Sequence, residues 1–449
     1  MSNFRPIDRD TAFLFPPSVD EWLPQRHLAR YMVEVVEGLD LSQMAKAYRG
    51  SGSASYHPAM LLALLIYGCA TRVFSSRAIE RATYDSVAFR FAANEHPDHD
   101  TIATFRKRFL PQIEALFVEV LKLARTMGML KLGTVALDGT KIHANASRHS
   151  ALSYGHAKKL EKQLKREVQQ LLKLAEQADA ADIPDGMSIP EELERRETRL
   201  AAIAEAKKKI EARVQEQQDA EYQHKFAARA EQENRIGKKP PGRPPAPPSG
   251  AVEDKQQINL TDEDSRIMPV AGGGFDQCYN AQAAVATGSL LIVANDLTQA
   301  ANDKQQLAPM IDKLKALPRK LGRVRRALAD SGYLSEANVE HCAQAAIEPL
   351  IAMKRERHNA SWRARFAEDP KAPAVSASPM QKMAHRLKTR RGKKLYALRK
   401  QTPEPVFGII KSVMGFRQFL LRGFENAKGE WNLVTMSWNI RRLFALSSA

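Results

Sequence analysis

With 449 residues, 44% of them apolar, the chain is long enough for about two to four domains and apolar enough to fill their cores. A formal net charge of +17 and a pI near 9.7 point to a polyanionic partner, most simply nucleic acid; a basic enzyme or ribosome-associated protein is the blander alternative. The three cysteines, Cys69, Cys278 and Cys342, are far apart and have no histidines at ligand spacing, so neither a zinc site nor a disulfide framework is implied and a reducing, cytoplasmic setting is expected.

The first residues, MSNFRPIDRDTAF, contain no apolar signal core. Residues 18–130 read as helices. The run His57–Tyr67 is apolar on nearly all sides and predicts a core helix, while Met60–Ala70, the longest apolar run, is too short to span a bilayer. Ser75 or Ser76 can cap the next helix, and Asp100 or Thr101 the one after. With Arg77, Arg81, Arg106, Lys107 and Arg108 expected on the surface, these short helices suggest a helix-turn-helix arrangement, against the plain reading of a helical bundle with a solvated basic face. Residues 1–130 are therefore expected to form a helical, DNA-contacting N-terminal domain.

Residues 132–144 switch to strand character, with Asp138-Gly139 read as a turn at a strand end. Residues 131–150 thus begin a second domain. From Tyr154 to about Ala230 the composition is Ala, Glu, Lys, Gln and Leu. Two apolar stripes, Leu160–Leu172 and Leu193–Val214, flank a turn at Ile183-Pro184-Asp185-Gly186 and predict an antiparallel helical hairpin. A Pro-rich linker follows at 234–250, whose Gly-Arg-Pro is a weak AT-hook-like signal. Hairpin and linker, 151–250, read as an insertion, and 251–449 as the remainder of the interrupted domain. Within it, strands are expected at 275–300 on either side of Thr287-Gly288-Ser289, at Val324–Ala329 and at Glu348–Met353. Helices are expected at Asp303–Leu317, with Asp303 read as its cap, and at Ser335–Ala346, Pro405–Met414 and Trp431–Phe444.

Basic residues peak at 319–326, 354–365 and 382–400, and the stretch 381–400 has no acid at all. It leads into YALRKQTPEPVFGIIK, where Glu404 and Lys411 are seven apart and would share one face of a helix. A lone carboxylate in so basic a surround suggests a metal ligand beside a polyanion. Asp138 and Asp330 each end an apolar strand, in ALD and RRALAD. Ligands collect where buried strands end at a crevice. Mg²⁺, hard and partly hydrated, needs only two or three carboxylates, and two ions about 4 Å apart suit phosphoryl transfer. Alone, an Asp before Gly is more often a turn residue; the joint pattern carries the reading.

ALDGTKIHANAS, ADSGYLSEANV and YALRKQTPEPVFGIIKSVMGFRQFLLRG together resemble the motif stretches of DDE transposases of bacterial insertion sequences, of the group with a Tyr-Arg-Glu-Lys signature. The resemblance covers nearly the whole chain. It implies an α/β ribonuclease-H-like catalytic domain with a helical N-terminal domain and an inserted helical hairpin. It implies Asp138, Asp330 and Glu404 as the catalytic, metal-binding triad, holding two Mg²⁺ or Mn²⁺ ions. Tyr396, Arg399 and Lys411 are implied as signature residues that contact DNA near the scissile phosphate. In the group's signature three residues separate Arg from Glu; here four separate Arg399 from Glu404, so either Lys400 takes the arginine's place or a bulge absorbs the extra residue. Glu425 and Glu430 are rival third acids without a lysine two turns on.

The expected function is binding of element ends followed by metal-dependent DNA cleavage and strand transfer. The partners are double-stranded DNA, both element ends and target, and a second copy of the chain in a homodimer or higher oligomer. Association with the bacterial nucleoid, and no membrane, is expected. An inactive DNA-binding descendant and a ribonuclease-H-like nuclease or resolvase are the alternatives.

Overall fold

The computed structural model describes residues 18–48, 55–176, 188–239, 241–353 and 368–448. The turn expected at 183–186 and the basic run 354–365 lie outside them. Contacts divide the chain into two compact units, Met1–Ala144 with Cys278–Ala449, and Asn145–Gln277.

Among the described residues the first unit opens with seven helices: α1 (Val19–Trp22), α2 (Leu28–Glu37), α3 (Ser42–Lys46), α4 (Pro58–Ala70), α5 (Ser76–Asp85), α6 (Val87–Ala93) and α7 (His99–Thr126). α4 starts with Pro58 in its first turn and His57 as a side-chain cap, and its apolar circumference is buried almost throughout. Ser75 caps α5, as the sequence suggests, but α7 is capped by Asp98, whose carboxylate accepts the Thr101 N–H at 2.8 Å. Arg106, expected at the surface, is buried and donates to Phe74 O at 3.0 Å; Arg77, Arg81, Lys107 and Arg108 are exposed.

β1 (Thr134–His143) then enters the sheet of this unit. After the second unit the chain returns through β5 (Phe275–Ala286) and β6 (Ile292–Thr298), then α10 (Leu307–Ala316), β7 (Arg326–Ala329), α11 (Glu336–Gln344) and β8 (Glu348–Ile351). Among the strands of this unit the order is β6-β5-β1-β7-β8; the first three are antiparallel, and β7 and β8 run parallel to β1. Parallel strands need covered faces. Ala136, Leu328 and Leu350 form a buried cluster on one face, roofed by Leu387, Leu395, Tyr396 and Leu398 from α12 (Pro379–Lys388), α13 (Arg390–Ala397) and the turn after it. α14 (Pro403–Gly408) packs against β1 and runs into a π-turn, Ile409–Val413.

The last helix, α15 (Phe424–Ser447), is buried along most of its length between β6 and helices α4 and α7. It reads the sheet through polar pairs: Asn439 bonds Ile292 N and Ile292 O, each at 2.8 Å, and Trp431 Nε1 donates to Gln282 O at 3.1 Å. No described helix is long and apolar enough to cross a membrane.

The second unit contains β2 (Ala151–Ser153), α8 (Tyr154–Glu176), α9 (Ile189–Ile236), β3 (Gln257–Asn259) and β4 (Arg266–Pro269). Ion pairs Glu167–Arg196 and Glu161–Lys207, with the Tyr154–Glu211 hydrogen bond, set α8 and α9 antiparallel. Leu164, Ile203, Ile210 and Val214 are buried between them, whereas Leu172, expected in the stripe, is exposed. The unit is wider than the helical and Pro-rich pattern at 151–250: β2 and β3 pair antiparallel at its base.

Candidate active site

Asp138 lies in the middle of β1, where the sequence suggests a strand end and a turn. β5 pairs with β1 from Val135 to His143, so the strand continues past Gly139. What ends is the parallel partner: β7 pairs up to Leu328, closes at Ala329, and Asp330 follows it. Side chains alternate between faces in a strand. Asp138 therefore shares the face of Ala136, and Asp330 that of Leu328, both under the α12–α13 roof. Asp330 itself caps the short turn Ser331–Tyr333 by accepting Gly332 N–H at 2.8 Å.

The turn after α13 delivers Arg399 onto these acids. Its Nη2 is 3.2 Å from Asp138 Oδ2 and 3.4 Å from Asp330 Oδ2, and its Nη1 is 3.4 Å from Glu404 Oε1. Glu404 stands in the first turn of α14, after Pro403, where a carboxylate faces the positive end of the helix. Of the two basic residues at the extended Arg–Glu gap, it is Arg399 that reaches the acids; Lys400 is exposed. The three carboxylates gather around the guanidinium and do not close on one another. Among the described residues no set of three His, Cys, Asp or Glu side chains is grouped to hold a metal ion. Arg399 Nε is buried and finds no hydrogen-bond partner among the described residues. Burial pushes the Asp138 carboxyl up to about 6, with repulsion from Asp330 and Asp303 adding to the rise and Arg399 opposing it.

Lys411 is half-buried. Its Nζ donates to Thr140 Oγ1 at 2.6 Å and to Lys141 O at 2.7 Å, two residues along β1 from Asp138. The seven-residue spacing puts it on the α-helical face of Glu404. The π-turn, wider than an α-turn, rephases the helix between them and swings Lys411 onto β1. Burial lowers its pKa. Tyr396 is half-buried, packed on the Ala136–Leu328–Leu350 cluster.

Asp303 is not a helix cap. α10 begins at Leu307 after Gln306, and Asp303 Oδ1 instead accepts from Asn280 Nδ2 and Gln282 Nε2, both at 2.7 Å, with Lys141 Nζ at 3.9 Å. Tyr333 donates to the same Gln282. Gln282 and Asn280 pair with Gly139 and Lys141 across the ladder, so their side chains lie behind Asp138 on the opposite face. Sequence reasoning misses this support because an Asp four residues ahead of a helix reads as a cap. The signal that could find it is the pair Asn280 and Gln282, amides two apart inside an otherwise apolar strand. Neither rival acid touches the guanidinium: Glu425 is exposed, and Glu430 is buried, accepting Leu420 N–H at 3.0 Å and Leu421 N–H at 3.1 Å. His143 Nδ1 lies 4.0 Å from Cys278 Sγ.

Around the site, Lys382, Lys388, Arg390, Arg391, Lys393 and Lys394 are exposed on α12 and α13. Comparison with family models finds two matches: residues 17–108 match a family described as Transposase domain (DUF772), and residues 254–440 match Transposase DDE domain. No curated protein and no solved structure matches the chain.

Proposed function

The chain belongs to the DDE transposases of insertion-sequence type, an enzyme acting on DNA, and from that premise we propose that it binds the ends of its element, cuts them and joins them to target DNA. The observation that carries this reading is the meeting of Asp138, Asp330 and Glu404, from three separate elements, around one guanidinium on one face of a mixed sheet. A family of this kind depends on a divalent metal, generally Mg²⁺. The donor set fits such an ion: three anionic oxygen ligands, with no soft ligand among them, already drawn to a common positive charge. Asp138, Asp330 and Glu404 would hold the metal, two Mg²⁺ or Mn²⁺ ions in the reading favoured here. When bound it supplies charge neutralisation for attack on phosphorus.

The chain's own groups do the rest. Lys411 has three N–H donors, two of them spent on β1, which leaves one for a phosphate beside Asp138. Arg399, drawn to three acids, is the second cation within reach of a scissile phosphate. The exposed basic face of α12 and α13 binds the duplex through its phosphates, so affinity falls with salt. Tyr396 anchors α13 to the sheet, setting where Arg399 emerges. Water is the first nucleophile and a DNA 3′-hydroxyl the second. Joining two ends to one target requires two sites, hence a homodimer or higher oligomer on nucleoid DNA in the cytoplasm.

The test is Glu404→Gln and Asp330→Asn on duplexes carrying the DNA that flanks the gene. Both variants should bind these duplexes in gel shifts yet cut them in neither Mg²⁺ nor Mn²⁺. Pre-cleaved ends then separate joining from cutting alone. Undiminished cleavage by Glu404→Gln would remove Glu404 from the site.

A further inference from the structure

Two backbone exceptions face each other beside the π-turn. Arg72, in the turn after α4, has φ 71, and Gly415, just past the π-turn, has φ 78. A left-handed backbone is uncommon for a residue with a side chain and invites a functional explanation. A Cβ on Gly415 would sit 3.2 Å from Arg72 Cγ, so glycine there leaves room for the arginine stem as well as permitting the turn. The stem carries its guanidinium to the end of the π-turn. Nε donates to Val413 O at 2.5 Å and Nη2 to Ser412 O, while Arg417 Nε donates to Lys411 O at 3.0 Å.

The last carbonyls of a helical segment have no donor within it, and cations are favoured at that end. Here two arginines fill the role for the turn that bears Lys411. The turn bearing Arg72 is itself fastened from several directions. Arg441 Nη1 donates to Ala70 O at 2.5 Å, Arg106 Nη1 to Phe74 O at 3.0 Å and Val73 N to Gly68 O at 2.8 Å. The Phe74 ring packs on Phe416 with centroids 5.5 Å apart. A continuous series of contacts thus runs from α4 and α7, through Arg72 and the π-turn, to Lys411 and β1 beside Asp138.

We propose that Arg72 is a positioning residue for DNA cleavage: the N-terminal domain contributes it to fix the π-turn, so that Lys411 stays on β1 within reach of the phosphate. The region matching the DDE domain, 254–440, then lacks one support of its own site, which residues 17–108 supply. This rests on the reading of Lys411 given above.

The experiment uses the full-length chain and the gene-flanking duplexes. Arg72→Gly removes the guanidinium and relieves the left-handed backbone, so folding is preserved; Arg72→Lys keeps a cation. Arg72→Gly should slow single-turnover cleavage about tenfold while DNA affinity stays within about twofold, because a misplaced group costs rate more than binding. Arg72→Lys should recover part of that loss. In a Lys411→Ala background, Arg72→Gly should cost no more than about twofold further, since the two changes act through one group. Hydrogen exchange gives an independent reading: the amides of Met414 and Phe416, which bond Ile409 O and Ile410 O, should exchange faster in Arg72→Gly. Normal cleavage by Arg72→Gly beside a defective Lys411→Ala, or fully multiplicative losses in the double variant, would overturn the proposal alone. Normal cleavage by Lys411→Ala would overturn the reading of Lys411 and this proposal with it.

Discussion

Arg399 Nη2 lies 3.2 Å from Asp138 Oδ2, joining the turn after α13 to the middle of β1 across 261 residues of sequence. Both side chains are mostly buried, at 12% and 15% exposure. Two further carboxylates share the same guanidinium. Three like charges around one cation make that cation a structural necessity whenever no other positive charge is present.

Arg399→Gln should therefore destabilise the metal-free protein, by about 1–3 kcal/mol, the usual cost of stripping a charged partner from partly buried acids. Glu404, at 52% exposure, contributes least to that figure. Mn²⁺ should raise the melting temperature of the variant more than that of the wild type, because added positive charge replaces what was lost. Melting curves with and without the ion decide it, and equal shifts in both proteins would argue that the acids do not depend on Arg399.

Gly139→Ala tests the support behind Asp138. A Cβ at this position would lie 2.3 Å from Gln282 Nε2, 2.5 Å from Asp303 Oδ1 and 2.9 Å from Asn280 Oδ1. None of the three can retreat without breaking the hydrogen bonds they share. The expected destabilisation is about 1–3 kcal/mol, typical of overpacking. Asp303→Ala in the same chain should relieve part of it, and a chemical denaturation series on the single and double variants measures the coupling.

The acids were legible in the sequence because each has a local signal: an apolar run before Asp138 and before Asp330, and a proline on either side of Glu404. The apolar run Val135–Leu137 likewise announces a buried strand. What governs their mutual arrangement is not local. Nothing in ALRKQ says that Arg399 will turn inward while Lys400 stays in solvent; the roof of Leu395, Tyr396 and Leu398 on the sheet decides it. Asp138-Gly139 reads as a turn because the long partner strand β5 lies well over a hundred residues away in sequence. Arg106 reads as surface because its acceptor, Phe74 O, comes from another helix boundary. The seven-residue spacing from Glu404 to Lys411 presumes α-helical phase, which the π-turn alters.

Lys411→Ala should consequently not be silent in stability. An exposed lysine would be, but this one satisfies Thr140 Oγ1 and Lys141 O. Removal should cost about 1 kcal/mol and loosen β1 next to Asp138. DNA affinity should fall and its salt dependence lose about one phosphate contact. Binding titrations over a salt series, with a denaturant midpoint for each protein, separate the two effects; an unchanged midpoint would place the ammonium in solvent.

Glu430 gives the fold a pH dependence with a definite sign. Burial raises its carboxyl from 4.5 to about 7, although Leu420 N–H, Leu421 N–H and Arg106 favour the ionised form. A carboxyl that holds its proton more tightly folded than unfolded stabilises the protein below its unfolded pKa. That contribution is lost as pH rises through the folded value. From this group the stability should thus decline between about pH 5 and pH 7.5, by at most about 1.4 kcal/mol per pH unit. Glu430→Gln keeps the shape and one oxygen, which can accept both amides as Oε2 does, but cannot ionise. It should lose that slope, so the gap between wild type and variant should move in the variant's favour toward neutral pH. Urea midpoints for both proteins across this range measure it. Parallel curves would mean that Glu430 ionises in the folded state as it does in the unfolded chain, held by the two backbone amides and Arg106 against its burial.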